Sequence, residues 1–239
     1  FSTEEMHAAS VDMANDTIVL LKNEDGLLPI RRDKVKSILV VGPNAFRRQL
    51  GGYSAGQTPI VDTPVNVMAL DGIRKEAGDD MEVLFEKGWT TDEERGAKGI
   101  EDILPGFDPE EILMDISPEM MAGFMGEKPP KRHVPEDPDL NADDDMLIAR
   151  AVEAAKKVDM VVVVAGTDAS NASEEHDRDT LDLPYGQDEK IQKIIEANPN
   201  TVVVITALGA VTGAFVEKSH TLINAHFAGE AQGTAIANV

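Results

Sequence analysis

The sequence predicts an α/β fold, a doubly wound and mostly parallel sheet sandwiched between helices, on two observations. Its aliphatic runs, among them Met160-Val161-Val162-Val163-Val164-Ala165 and Thr201-Val202-Val203-Val204-Ile205-Thr206, are continuous rather than alternating. Such strands are covered on both faces, as in a parallel sheet between helix layers. Amphipathic helical stretches separate these runs, and alternating β and α elements define that architecture. With 239 residues, 42% hydrophobic residues and 19 Gly, the chain has the apolar content for a core. At roughly 150 residues per domain the length allows one large domain or two small ones.

In chain order, Ser2 and Glu5 have capping-box spacing, and Met6, Ala9, Met13, Thr17 and Leu20 recur at helical intervals. They predict an amphipathic helix over 3–21, broken by Lys22-Asn23-Glu24-Asp25-Gly26. A strand at 37–41 ends in Gly42-Pro43-Asn44. Thr63 and Pro64 open a helix with Val65, Met68, Ala69 and Ile73 inward and Gly78 at its close. A strand at 82–85 follows. A helix over about 143–157 places Leu147, Ala151, Ala154 and Val158 on one face and leads into the strand at 160–165. Then come a polar loop at 167–182, a helix at 185–197 with Ile191, Ile194 and Ile195 inward, the strand at 201–206 and a final strand near 222–225.

One segment departs from this rhythm. Residues 101–145 hold 14 acidic and 3 basic residues, and seven of the 13 Pro fall between 105 and 138. Residues 95–142 therefore read as an acidic, Pro-rich insertion, either loosely packed or a functional lid. The cluster Ile112, Leu113, Met114, Met120, Met121, Phe124 and Met125 is the argument for part of it docking as a short amphipathic helix.

Charge and composition exclude several function classes. The 22 Lys and Arg against 44 Asp and Glu leave a formal net charge of −22, which repels nucleic-acid phosphates and anionic membranes, so neither partner is expected. Zero Cys removes disulfides, thiolate metal sites and Cys nucleophiles. The scattered His7, His133, His176, His220 and His226 form no metal-binding pair, and no cofactor or metal is expected. The chain opens on Phe1 and stops at Val239 inside a helical pattern, which reads as a piece of a longer polypeptide. Periplasmic, secreted and cytoplasmic locations all stay open.

Ligands of open parallel sheets bind outside the carboxyl ends of the strands. Three loops qualify. The first holds Gly51-Gly52-Tyr53-Ser54-Ala55-Gly56, the second Ser173-Glu174-Glu175-His176-Asp177-Arg178, and the third begins at Leu208-Gly209-Ala210. The first lacks a phosphate-loop pattern, and Pro43 removes a backbone donor there; it reads as a flexible turn or a ligand contact. In the second, crowded carboxylates raise one another's pKa and a nearby Arg lowers it, so the loop is either a solvated acidic turn or the seat of a general acid. Trp89, the one Trp, reads as a packing residue ahead of a sugar platform.

At these residues the chain resembles the α/β-sandwich second domain of glycoside hydrolase family 3. Asp16 to Glu24 with Leu28-Pro29-Ile30 is similar to the family string ESIVLLKNE-G-LPL, and ILVVGPNA at Ile38 to Ala45 to IAVIGPNA. Gly51 to Gly56 resembles its GGYSG loop, and EEHDRDTLDLPYGQ at Glu174 to Gln187 its E-G-x-D-R-x-x-L-x-L-P-x-x-Q loop. The strings at Asn198 to Val204 and Gly229 to Gly233 complete an ordered set covering most of 8–92 and 143–239. The resemblance implies that residues 1–239 form the sandwich domain of a retaining β-glycosidase acting on β-glucosides or β-xylosides. It implies two carboxyl groups about 5–5.5 Å apart, with the nucleophilic Asp on a preceding (β/α)8 barrel.

Carried over by motif, Glu174 is the general acid/base, and Glu175, standing where the family has Gly, is the alternate. Asp177 and Arg178 match the DR pair and shape that loop. With His176 and with Gly52, Tyr53 and Ser54 they make up the expected substrate-binding set. No barrel precedes residue 1 in this sequence, so the fragment is expected to be inactive by itself. A non-catalytic module that binds sugar or stabilises a barrel is the competing reading, and a flavodoxin-like nucleotide or flavin binder a third that shares only the architecture.

Overall fold

Val, Ile and Thr are stiff at χ1 and pack well on a pleated surface, so their runs settle as strands wherever both faces can be covered. The computed structural model describes residues 3–47, 67–91, 139, 141–168, 171 and 178–239. Among them, β1 (Val19–Asn23), β2 (Ser37–Val41), β3 (Glu82–Glu86), β4 (Met160–Gly166), β5 (Thr201–Thr206) and β6 (Thr221–Asn224) form one sheet in the order β1-β6-β5-β4-β2-β3. β2 to β6 run parallel, and β1 pairs antiparallel with β6. The winding starts at β2, steps outward to β3, then reverses past β2 to β4, β5 and β6. This is the expected doubly wound α/β sandwich, with its switch point between β2 and β4.

The α-helices among the described residues are α1 (Glu4–Thr17), α2 (Ala69–Ala77), α3 (Asp144–Ala155), α4 (Gln187–Ala197), α5 (Ala214–Lys218) and α6 (Gln232–Asn238). Alternate strand residues feed two cores. Ile38, Val40, Val162, Val164, Val202, Val204 and Ile223 pack with Leu70 and Ile73 of α2 and Ile236 of α6. On the other face, Leu39, Val41, Val161, Val163, Val203 and Ile205 pack with Ile148 and Ala151 of α3, Ile191 and Ile194 of α4, and Phe215 of α5. Every residue of β4 and β5 is buried, which is why neither run alternates in polarity. Trp89 is fully buried in the second core, a packing residue as expected.

The N-terminal segment departs from the expectation of one helix over 3–21. Thr3 is the cap, its Oγ1 accepting from Met6 N at 3.2 Å, and Ser2 lies outside the described residues. The helix stops at Thr17, and Val19 to Asn23 cross to the open edge of β6 with a bulge between Leu20 and Lys22. An unpaired edge offers backbone hydrogen bonds that a β-branched segment such as Ile18-Val19 takes more readily than another helical turn. α2 runs from Ala69, with Ala69, Leu70, Ile73 and Ala77 buried, and closes at Gly78; Thr63, Pro64 and Val65 lie outside the described residues. α3 is capped by Asp143, and its buried stripe is Leu147, Ile148, Ala151 and Ala155, with Ala154 and Val158 at its margin. The insertion at 95–142 falls almost wholly outside the described residues.

α2 and α6 cross with their backbones in contact. A Cβ on Gly72 would lie 2.0 Å from Gly233 O, and one on Gly233 would lie 2.2 Å from Met68 O. In a free helix Gly72→Ala would stabilise by about 1 kcal/mol. Here the clash is with backbone, and we expect Gly72→Ala to cost about 1–3 kcal/mol. Urea unfolding should show a lower midpoint at unchanged slope; a higher midpoint would mean that the two helices do not touch.

Candidate active-site loop

At the switch point β2 and β4 lie side by side, and their chains leave the sheet at the same edge. From β2 the chain enters a short 3-10 turn, Pro43–Ala45, that presents Asn44. Asn44 is 2% exposed, and its Nδ2 donates to Thr167 O at 3.2 Å and to Thr206 Oγ1 at 2.9 Å. One amide thus joins the ends of β2, β4 and β5. Leu208 N donates to Thr167 Oγ1 at 3.0 Å, which brings the chain beyond β5 into the same cluster.

β4 ends at Gly166, where a Cβ would sit 1.7 Å from Thr206 O, so only glycine lets the strands approach this closely. The loop that follows returns at Gln187, the first residue of α4. Its buried side chain pairs with the Gly166 peptide in both directions: Oε1 accepts from Gly166 N at 2.9 Å and Nε2 donates to Gly166 O at 2.7 Å. A side-chain amide here replaces a neighbouring strand and closes the loop at its base.

Further anchors hold the arms. On the outgoing arm, Asp168 is 1% exposed, its Oδ1 accepting from Asn171 Nδ2 at 3.0 Å and its Oδ2 from the Tyr185 hydroxyl at 2.8 Å. On the returning arm, Arg178 Nη2 donates to Ala210 O at 2.6 Å, and Thr212 N donates to Leu181 O at 2.8 Å. The second loop is therefore fastened to the third. Gln187 explains why α4 starts two residues later than expected: Tyr185 and Gly186, both at φ 62, form a left-handed turn ahead of it.

Glu174, Glu175, His176 and Asp177 lie outside the described residues, as do Gly52, Tyr53 and Ser54. Arg178 is the described member of the expected set. It braces Ala210, and its Nη1 is enclosed without an acceptor among the described residues. Both ends of the Glu174 segment, Asn171 and Arg178, are thus placed on the carboxyl edge beside the switch point. Sequence reasoning missed Asn44, Asp168, Asn171, Tyr185 and Gln187. The available signals were the position of Asn44 and Asp168 just after strand ends and the place of Asn44, Tyr185 and Gln187 within the strings that resemble the family.

Charge supports the same turn from below. Lys190 Nζ lies 2.7 Å from Asp144 Oδ2 and donates to Tyr185 O at 2.6 Å, while Thr90 donates to Asp144 Oδ1 through N at 3.0 Å and Oγ1 at 2.8 Å. Burial presses the Asp144 pKa upward, but the Lys190 ammonium and the Thr90 donors outweigh it and hold the carboxyl below the ordinary Asp value.

A doubly wound domain with an anchored loop at the switch point belongs to the open α/β class, whose ligands bind at that edge. The family model for the glycosyl hydrolase family 3 C-terminal domain matches residues 18–239, and the chain belongs to this family. A β-glucosidase of Bacteroides ovatus is 27% identical over 245 residues, covering 100% of this chain and 27% of the relative. A β-xylosidase of Formosa agariphila is 27% identical, covering 99% of this chain and 26% of the relative. Among solved structures, a β-glucosidase from Erythrobacter marinus superposes with a TM-score of 0.72 at 29% identity, covering 99% of this chain and 28% of that one. The chain spans about a quarter of the length of these curated relatives.

The depressed Asp144 pKa gives a signed prediction. Its stabilising effect is fully present above an unfolded pKa of about 3.9 and is lost as pH falls through the lower folded value. Asp144→Asn should therefore lower the melting temperature near neutrality and converge with the parent protein once pH lies below both values. Melting curves across that acid range test this; an offset of equal size at every pH would assign the effect to packing.

Proposed function

We propose that this chain is the α/β-sandwich domain, residues 1–239 with an acidic insertion at 95–142, of a retaining β-glycosidase, and that it contributes the general acid/base Glu174, with Glu175 as alternate. The observation that carries the reading is the family match over 18–239 combined with a loop fastened at the carboxyl edge of the sheet, with the Glu174 segment between its anchors. β-Glucosides are the first substrate class and β-xylosides the second, in line with the names of the matched β-glucosidase and β-xylosidase.

The proposed partner is a (β/α)8 barrel that supplies the nucleophilic Asp. In the first step that carboxylate attacks the anomeric carbon while Glu174 gives its proton to the departing glycosidic oxygen. In the second, Glu174 takes a proton from water as the oxygen attacks the glycosyl-enzyme, and the nucleophile leaves. Arg178, tied to Ala210 through Nη2, keeps the returning arm of the loop in place and belongs to the proposed substrate-binding set. Asp177, His176, Gly52, Tyr53 and Ser54 complete the proposed sugar-facing set.

A groove at the carboxyl end of β6 supports the barrel as partner. Beyond the end of β6, His226 and Phe227 line a groove of about 510 Å³ together with Met13, Ala14 and Thr17 of α1. Met13 is 71% exposed. The relatives extend to about four times this chain's length, and a barrel within that additional length is the occupant proposed for this apolar groove.

In the full-length protein, Glu174→Ala should reduce kcat/KM for a phenyl β-glucoside by roughly 10²–10⁴-fold, the usual range for losing a general acid. Steady-state assays decide it. Undiminished turnover with Glu174→Ala, accompanied by loss with Glu175→Ala, would move the role to the alternate residue; undiminished turnover in both would remove it from this loop.

A further inference from the structure

We propose that Asp168 and Tyr185 are positioning residues that set the aim of the acid/base; the inference rests on the reading of Glu174 given above. Asp168, Asn171 and Tyr185 close a three-membered ring of hydrogen bonds. The Tyr185 hydroxyl donates to Asp168 Oδ2 at 2.8 Å, and Asn171 Nδ2 donates to Asp168 Oδ1 at 3.0 Å. Asn171 Nδ2 also donates to the Tyr185 hydroxyl oxygen at 2.8 Å, and Asp168 N donates to Asn171 Oδ1 at 3.2 Å. Asp168 and Asn171 stand before residue 174 in the chain and Tyr185 stands after it, so the ring spans the loop.

Two features set this ring apart from ordinary loop packing. A carboxylate 1% exposed is costly unless its oxygens are well supplied with donors, and here both oxygens are supplied by the same two side chains that tie the arms together. Tyr185 meanwhile sits at φ 62 and ψ 21, followed by Gly186 at φ 62 and ψ 27. Two successive left-handed residues make the kind of primed turn that Asn and Gly fill without strain. A bulky L-residue there costs about 1–2 kcal/mol, and strain of this kind collects where geometry is set for function. An Asn or Gly would make the turn but would not carry a hydroxyl to the buried Asp168. Lys190 holds the strained turn by its bond to Tyr185 O.

Removing the hydroxyl should leave the fold in place and let the outgoing arm drift. A misplacement of about 1 Å at a reacting group costs on the order of 10²-fold in rate. The loss should fall on the step that needs a proton. Dinitrophenolate leaves without protonation and phenolate does not, so the dependence of kcat/KM on the leaving group separates a misplaced acid from general damage.

The experiment compares Tyr185→Phe, Asp168→Asn and Glu174→Ala in the full-length protein across aryl β-glucosides from dinitrophenyl to phenyl. Tyr185→Phe is expected to lower kcat/KM for the phenyl glucoside roughly 10–10²-fold and for the dinitrophenyl glucoside by less than about 3-fold, with the alkaline limb of the pH profile, which the general acid governs, shifted. Asp168→Asn keeps the shape of the ring and should follow the same pattern, which covers the case in which one variant folds poorly. If Glu174→Ala shows the leaving-group dependence and both ring variants slow all substrates equally or not at all, the positioning role is overturned and the acid/base reading stands. If Glu174→Ala itself lacks that dependence, the reading of Glu174 falls and the positioning role falls with it.

Discussion

Where strands of a parallel sheet end, buried backbone donors and acceptors lose their neighbours and must find others. At the carboxyl edge of this sheet, side chains supply them: Gln187 for the Gly166 peptide, and Asn44 for Thr167 O. Leaving such a group unpaired costs about 1–3 kcal/mol, which is a large share of the stability of an ordinary domain. The Gln187 amide therefore does more than end a strand. By fixing where the loop leaves and where it returns, it makes the whole excursion from β4 to α4 a closed unit on which finer contacts can build.

The fold was legible where burial on two faces wrote itself into composition. β4 and β5 are aliphatic through 161–165 and 202–205 because no face of either meets water, and their helices carry apolar stripes at helical spacing. The stretch after Thr17 was not, because Ile18 to Leu21 suits a helix or a strand equally and only the open edge of β6 decides between them. The candidate loop was legible, from strand ends and motif likeness. Its supporting contacts were not, since Asn44 and Thr206 stand 162 positions apart and Asn44 and Thr167 stand 123 apart, and one sequence gives no sign of such pairs. The left-handed turn at Tyr185 was hidden for another reason: a Tyr at such a position runs against the local preference that sequence reading relies on.

The two ends of the sheet are finished differently. β3, an edge strand, has an exposed Glu82, and Glu86 pairs with Arg150 of α3. β1 caps the other end by running against β6, with a bulge and Lys22 in its second half. Bulges and charges at sheet edges oppose pairing with a second chain. The helix α1 that leads into β1 buries little of itself: Ala14 is its one buried residue, while Met6 and Met13 stand well exposed. This poor burial beside the β6 rim is the counterpart of the apolar groove there.

In the proposed enzyme the two reacting carboxyls belong to different domains and must still meet at about 5–5.5 Å. Within one rigid domain such a distance is set by folding alone. Across two domains it is the sum of how the domains dock and how far the loop departs from its own sheet, so errors in each add. Docking is shared by a wide surface and averages over many contacts, whereas the loop is a single strand of chain with its own freedom. The tolerance therefore falls on the loop, and its described anchors are correspondingly dense: a two-way amide pairing at the base, a buried carboxylate ring across the arms, and a guanidinium tie to the next loop. All three fasten to the sheet and loops of this one domain, so the ends of the loop are fixed by contacts within this domain.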